Sequence, residues 1–296
     1  MTDVQFGRIR FIRGDNNGRY PFNHSLYLEG GDTRVIIDPA CSLQKLANLN
    51  QKDGVDQVWL SHWHEDHIRY LNLFANCILR ISESDFPPLT DIDVFLDWYN
   101  IKEAGLRALW KQEMLDNFNY RPKQNARFLQ DEETIDLGSL PVQVVATPGH
   151  TPGHLSFFFS DEEILFLGDY DLTSFGPWYG DVYSSIEQTI KSIHRLKAIP
   201  ARRWIASHNT GLFEENPERL WDEYENVIYQ REERILKFLN KPKTLDKMLS
   251  AWLIYGKPRE PRELFEFNER VLLGKHIEYL ERRGKIVLYN NQYVKI

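Results

Sequence analysis

A chain of 296 residues, 42% apolar and 27% charged, can bury a substantial core and exceeds the size of a single small domain. Its formal charge of −7 excludes a surface built as a whole to hold nucleic acid, and its two cysteines, Cys41 and Cys77, exclude a disulfide framework. No stretch reaches the roughly 18 consecutive apolar residues of a membrane span, and Met1 to Arg13 lacks the apolar run of a secretory leader, so a cytoplasmic protein with free thiols and no membrane partner is expected.

Short β-rich runs recur along the first part of the chain. They are Arg8–Ile12, Leu26–Leu28, Arg34–Ile37, Gln57–Leu60, Cys77–Ile81, Val142–Ala146, Leu155–Phe159, Ile164–Leu167 and Arg203–Ala206, several closed at once by Gly, Pro, Ser or Asp. His24 precedes the second run and reads as a structural histidine. Asp38 ends the third, either as a carboxylate that accepts the free N–H of a ligating imidazole or as a turn residue before Pro39. The fourth run leads into Ser61-His62-Trp63-His64-Glu65-Asp66-His67, three imidazoles and two carboxylates in a loop, with His62 and His64 at alternating positions that point to one side.

From Asp91 to Asn119 the pattern turns helical and aromatic, with Phe95, Trp98, Tyr99, Trp110 and Phe118; it reads as an inserted helical pair, packed on the domain or lying over a cleft. The later runs lead to His150, Asp169 and His208 in turn. His154 opens the next strand and is expected to bond within its loop, while Tyr170, Trp178 and Tyr179 lie close enough to Asp169 to line a pocket. Ile186, Ile190 and Ile193 share a face over Ser185–Ala198, as do Leu220, Tyr224, Val227, Ile228 and Ile235 over Glu218–Leu239. Strands and helices are thus interleaved in an α/β fold with helices covering sheets.

The charge changes sign near Asn240. Lys241–Ile296 holds 12 Lys and Arg against 7 Asp and Glu, leaving 24 against 36 before it, so the tail carries +5 and the front part −12. This marks a boundary between residues 1–240, with a helical insertion at about 90–120, and residues 241–296. The tail reads as helices around Leu245–Ile254 and Asn268–Arg283, then a hairpin of Lys285–Tyr289 and Gln292–Ile296 turning at Asn290-Asn291. That order suggests a winged-helix-like module. His194 and His276 lie in helices and are assigned no chemistry.

Imidazole nitrogen and carboxylate oxygen are donors that zinc, iron and manganese accept, and four strand ends that present them at one edge can hold a multi-metal site open to substrate. The motif HxHxDH (His62, His64, Asp66, His67), followed by His150, Asp169 and His208, resembles the metallo-β-lactamase superfamily across residues 6 to about 210. The resemblance implies a four-layer αβ/βα sandwich. It also implies that His62, His64 and His150 hold one metal ion, that Asp66, His67 and His208 hold a second, and that Asp169 bridges them. Ile68-Arg69 after His67 and Ser207-His208-Asn209-Thr210-Gly211 depart from the family pattern and bear on pocket shape. The tail, with Glu281-Arg282-Arg283-Gly284-Lys285-Ile286, is similar to that of a lactamase-beta-like subgroup, some of whose members are endoribonucleases.

Two cations that share a water lower its pKa from about 15.7 to about 7, which makes hydroxide the expected nucleophile, with Asp66 orienting it or relaying its proton. The expected function is therefore hydrolysis of an ester, thioester or lactone in a small molecule, dependent on two divalent ions, zinc first and iron or manganese acceptable to the same donors. The alternative is a metal-dependent endoribonuclease guided by the basic tail. Arg270, Lys275, Glu278, Glu281 and Arg282 mix both signs along the would-be recognition helix, so the tail is expected to pack on the main domain or to form a homodimer contact instead. A binding protein that keeps the metal ions without turnover is a third reading.

Overall fold

The computed structural model describes residues 2–296. A first sheet has the spatial order β1 (Val4–Phe6), β2 (Ile9–Ile12), β3 (Ser25–Glu29), β4 (Arg34–Ile37), β5 (Gln57–Trp59), β6 (Ile78–Ile81) and β7 (Arg127–Phe128). β1 to β4 pair antiparallel and β4 to β7 pair parallel. Parallel neighbours need crossovers. These carry α1 (Leu43–Lys52), α2 (Glu65–Ile68), α3 (Pro87–Thr90), α4 (Ile92–Trp98) and α5 (Ala104–Asp116).

The second sheet comprises β8 (Thr134–Asp136), β9 (Pro141–Ala146), β10 (Leu155–Phe159), β11 (Ile164–Gly168), β12 (Arg203–Ala206) and β13 (Leu212–Phe213), in consecutive spatial order. Only β11 and β12 run parallel, joined through α6 (Ile186–Lys197). α7 (Glu218–Phe238), α8 (Leu245–Ser250), α9 (Arg262–Arg282) and the hairpin β14 (Ile286–Tyr289) with β15 (Gln292–Lys295) complete the chain. No helix among the described residues is long and apolar enough to cross a membrane.

Strands apolar on both faces must be covered on both faces. In β4, Val35 and Ile37 enter a cluster shared by the two sheets, whereas Ile36 joins α1 residues Leu46 and Leu49 on the outer side. In β11, Ile164 and Phe166 enter the shared cluster, and Leu165 and Leu167 meet Ile193 of α6 and Trp221 of α7. The result is the expected four layers of helix, sheet, sheet and helix.

Each predicted run forms a strand whose ends shift by at most one residue, and α6 falls inside its predicted span, with the Ser185 hydroxyl accepting from the Gln188 N–H. The sequence reading misses β1, β7, β8 and β13, of two or three residues each, which are too short to show a period of two. In the tail, α8 stops at Ser250 and α9 begins at Arg262, directly after Pro261, so the predicted helix limits are corrected at both places. Asn290 and Asn291 both take left-handed angles (φ 47° and 59°), which asparagine tolerates in a two-residue hairpin turn.

The tail shares one buried cluster with α6 and α7: Ile186, Ile228 and Ile235 pack with Met248, Leu272, Ile277, Leu280 and Ile286. Lys243 and Tyr293 exchange backbone hydrogen bonds of 3.1 and 2.7 Å, which ties the hairpin to the segment after α7. Inside this cluster the Tyr179 hydroxyl accepts from Arg231 at 2.9 Å and lies 2.8 Å from His276 Nε2. Burial, with the charges of Arg231 and Arg234, holds His276 well below the usual histidine pKa.

The folded state therefore refuses a proton that the unfolded chain accepts near pH 6.5, and stability falls as pH drops through that value. His276→Gln should flatten the pH dependence of urea unfolding between about pH 6.5 and 5 by roughly one proton, about 1.4 kcal/mol per pH unit. Identical slopes for the two proteins would contradict this assignment.

Candidate metal centre

Four strand ends supply the seven predicted side chains. β5 runs into His62 and His64 and then into α2, which carries Asp66 and His67; β9, β11 and β12 lead to His150, Asp169 and His208. Two backbone bonds fasten the edges of the two sheets together at this level, Leu155 N–H to Ser61 O at 2.8 Å and His24 N–H to Ser207 O at 2.6 Å, while Ser207 N–H to Gly168 O at 2.9 Å extends the pairing of β12 with β11. Gly168 has φ +59°, and a Cβ there would collide with the His154 ring, so only glycine serves before Asp169.

The structure brings all seven residues together in two sets, His62, His64, His150 and Asp169 in one and Asp66, His67 and His208 in the other. His150 Nε2 lies 3.2 Å from His62 Nε2 and 2.9 Å from His64 Nδ1, and the last two are 3.0 Å apart. Asp169 faces both sets. Its Oδ2 is 3.3 Å from His150 Nε2, and its Oδ1 is 3.0 Å from His67 Nε2 and 3.3 Å from His208 Nε2. Asp66 Oδ2 is 3.4 Å from His208 Nε2.

The opposite nitrogen of every imidazole decides what these approaches mean. His150 Nδ1 meets the Trp178 carbonyl at 2.9 Å, His208 Nδ1 the Gly18 carbonyl at 2.7 Å, His67 Nδ1 the Asp38 carboxylate at 2.9 Å and His64 Nε2 the Asp181 carboxylate at 3.3 Å. Carbonyls and carboxylates only accept, so each of these nitrogens carries the proton. The Ser61 hydroxyl donates to Asp38 at 2.6 Å, which leaves its lone pair for His62 Nδ1–H at 2.9 Å. The five inner nitrogens thus converge on two carboxylates. His67 Nε2 and Asp169 Oδ1 are buried without a hydrogen-bond partner. Such a donor set, lone pairs facing lone pairs, fits divalent cations.

The chain alone feels the lack of positive charge. Burial opposes a proton on His67 and His208, but Asp169 outweighs it and pushes both up, His208 to about 9. Burial pushes His64 and His150 down to about 4.

Asp38 and His154 hold the frame. Asp38, fully buried, accepts from Ser61 N–H and its hydroxyl as well as from His67, so it is both the turn residue and the imidazole's partner. His154 Nε2 accepts from the Asp169 N–H at 3.1 Å and stays outside both sets. His24 is structural, His194 is exposed beside Glu225, and Tyr170 and Tyr179 are buried.

A cleft of about 800 Å³ opens over the site. Phe95 and Phe118 of the insertion pack into the core, while Tyr99 and Trp110 reach the cleft, joined by Trp178 and by Phe265 and Phe267 of the tail. Trp178 and the insertion were offered for such a wall by the sequence, whereas the tail residues were not, because no periodicity relates α9 to a distant loop. Sequence reasoning also missed two partners. Asp181, in an irregular stretch after Asp169, holds His64; Glu65 accepts from Tyr20 at 3.1 Å and Tyr99 at 2.5 Å, and burial together with Asp66 pushes it up to about 7.

Residues 19–208 match the metallo-beta-lactamase superfamily. Over 212 residues the chain is 27% identical to a probable polyketide biosynthesis zinc-dependent hydrolase of Bacillus subtilis (strain 168), covering 69% of this chain and 80% of that protein. Over 183 residues it is 25% identical to a hydroxyacylglutathione hydrolase of Hyphomonas neptunium, covering 61% of this chain and 59% of that one. A solved metallo-beta-lactamase family protein of Thermus thermophilus aligns with 98% of this chain and 99% of its own at a TM-score of 0.73 and 23% identity, a likeness of fold.

The tail reaches the ligands through one loop. Asn268 of α9 accepts from Trp178 Nε1 at 3.3 Å, and Lys275 donates to the Val182 carbonyl at 2.6 Å, which brackets the loop that carries the Trp178 carbonyl and Asp181. Asp181→Ala should weaken metal retention about tenfold in competition with a chelator while far-UV circular dichroism stays unchanged, and Lys275→Met should act in the same direction. Retention equal to that of the unaltered protein in both variants would remove the loop from the account.

Proposed function

The chain belongs to the metallo-beta-lactamase superfamily of metal-dependent hydrolases, and on that premise we propose that it cleaves an ester, thioester or lactone carbonyl of a small molecule. His62, His64, His150 and Asp169 would hold one divalent cation, Asp66, His67 and His208 the other, with Asp169 shared. Zinc suits these nitrogen and oxygen donors, and one similar protein is named as zinc-dependent. The observation that carries the reading is the convergence of five committed imidazoles beneath an aromatic cleft.

Bound cations would supply the positive charge that polarises a carbonyl oxygen and makes hydroxide available at neutral pH. The chain does the rest. Asp66, on the cleft floor, accepts the proton that the attacking water gives up and passes it toward the leaving group. Asp38, Asp181 and the two carbonyls keep the imidazoles from turning as charge moves. Tyr99, Trp110 and Trp178 offer the acyl group apolar faces and exclude water from the carbonyl.

Cleft size supports a small molecule. About 800 Å³ falls within the range of roughly 300–1,000 Å³ typical of small-ligand pockets. α9, the helix that an endoribonuclease reading would place on RNA, buries Leu272, Leu273, Lys275, His276, Ile277 and Leu280 against the body. Its packed face is spent on the fold.

Zinc-loaded protein should release thiol or acid from a panel of aryl and alkyl thioesters, esters and lactones, and dialysis against a chelator should stop it. Asp66→Ala should lower kcat/KM about 10²- to 10⁴-fold. A loaded protein inert across the panel, yet able to cut single-stranded RNA, would transfer the site to the alternative activity.

A further inference from the structure

The cleft has a charge pattern that the ligand set does not use. Its floor holds Glu65 beside the ligand carboxylates Asp66 and Asp169, and its walls are aromatic. At its exposed rim stand two cations, Arg19 and Arg259. Among the described residues neither side chain forms an ion pair or a hydrogen bond, whereas nearby Arg262 pairs with Glu266 at 2.6 Å and Arg283 with Glu232 at 3.2 Å. The Arg259 guanidinium rests instead on two tail rings, 5.1 Å from the centroid of Tyr255 and 5.9 Å from that of Phe265. Rings that support its face leave its N–H donors without an acceptor from the protein.

Extending the hydrolase reading above, we propose that the substrate carries an anionic group, a carboxylate or a phosphate, at the end remote from the scissile carbonyl, and that Arg259 with Arg19 binds it. The scissile carbonyl takes the floor, where the metal cations would sit, and so a charge at the substrate's remote end falls at the rim. The apolar body of the substrate then spans the aromatic walls between the two. Arginine meets either oxyanion through paired, charge-assisted hydrogen bonds, which a neutral amide cannot replace. Of the tail's cations Arg259 alone lines the cleft, and Arg19 meets it from the body, so the two stand at the mouth from opposite parts of the chain.

The test compares thioesters of one aryl acid with 3-mercaptopropionate, with its neutral amide and with O-phosphoryl mercaptoethanol, all on zinc-loaded protein. The charged thioesters should show kcat/KM about tenfold above the amide, chiefly through KM, and the advantage should shrink as salt rises. Arg259→Gln should bring the ratio of charged to neutral close to one, and Arg259→Lys should restore part of it. Which of the two anions gains more identifies the group. The matching thioethers, which cannot be hydrolysed, give the same comparison by calorimetry, so a failure of the hydrolase reading is seen apart from a failure of this one. Equal binding of charged and neutral thioethers, no binding of either, or a ratio unmoved by Arg259→Gln overturns the proposal.

Discussion

Four of five histidines have one nitrogen committed as a donor to a carbonyl or carboxylate, and the fifth, His62, donates to a Ser61 hydroxyl whose own proton goes to Asp38, so the five opposite nitrogens are turned toward two carboxylates. Among the described residues no other donor side chain reaches that concentration of nitrogen and carboxylate groups. The polypeptide holds the arrangement because the outer bonds are buried and made from fixed elements: the end of β4 through Asp38, the Gly18 turn, and the loop of Trp178 and Asp181. Two sheets fastened edge to edge at Ser61 and Ser207 bring the four strand ends to a common level.

The tail belongs to this arrangement as much as the sheets do. Its helix α9 shares a core with α6 and α7 and grips the loop after Asp169 at Trp178 and Val182. Arg231 pins the same loop from α7, donating to the carbonyls of Phe175 and Pro177. One segment therefore serves the imidazoles on its inner side and the cleft wall on its outer side. A change in the tail is expected to reach the metal centre and substrate selection together, since both run through Trp178.

The fold was legible wherever a pattern was long enough to repeat. Nine strand runs and the helices α6 and α7 could be read, because apolar residues on both faces of a strand and on one face of a helix leave periodic traces. The ligands were legible for a related reason: imidazoles and carboxylates crowded in a loop have few structural uses, and each later ligand follows a strand. The outer partners divide along the same line. Asp38 could be proposed because it ends a strand, but Asp181 could not, lying in an irregular loop that Ser184 and Lys275 hold against His64. Tail residues on the cleft were invisible, since a contact between α9 and residue 178 has no signature in either segment.

The most direct test is anomalous diffraction from crystals of the zinc-loaded protein at the zinc edge. Two peaks per chain are expected, one among His62, His64 and His150, one among Asp66, His67 and His208, with the Asp169 carboxylate between them. A single peak, or peaks elsewhere with the imidazoles bonded only to protein, would contradict the account.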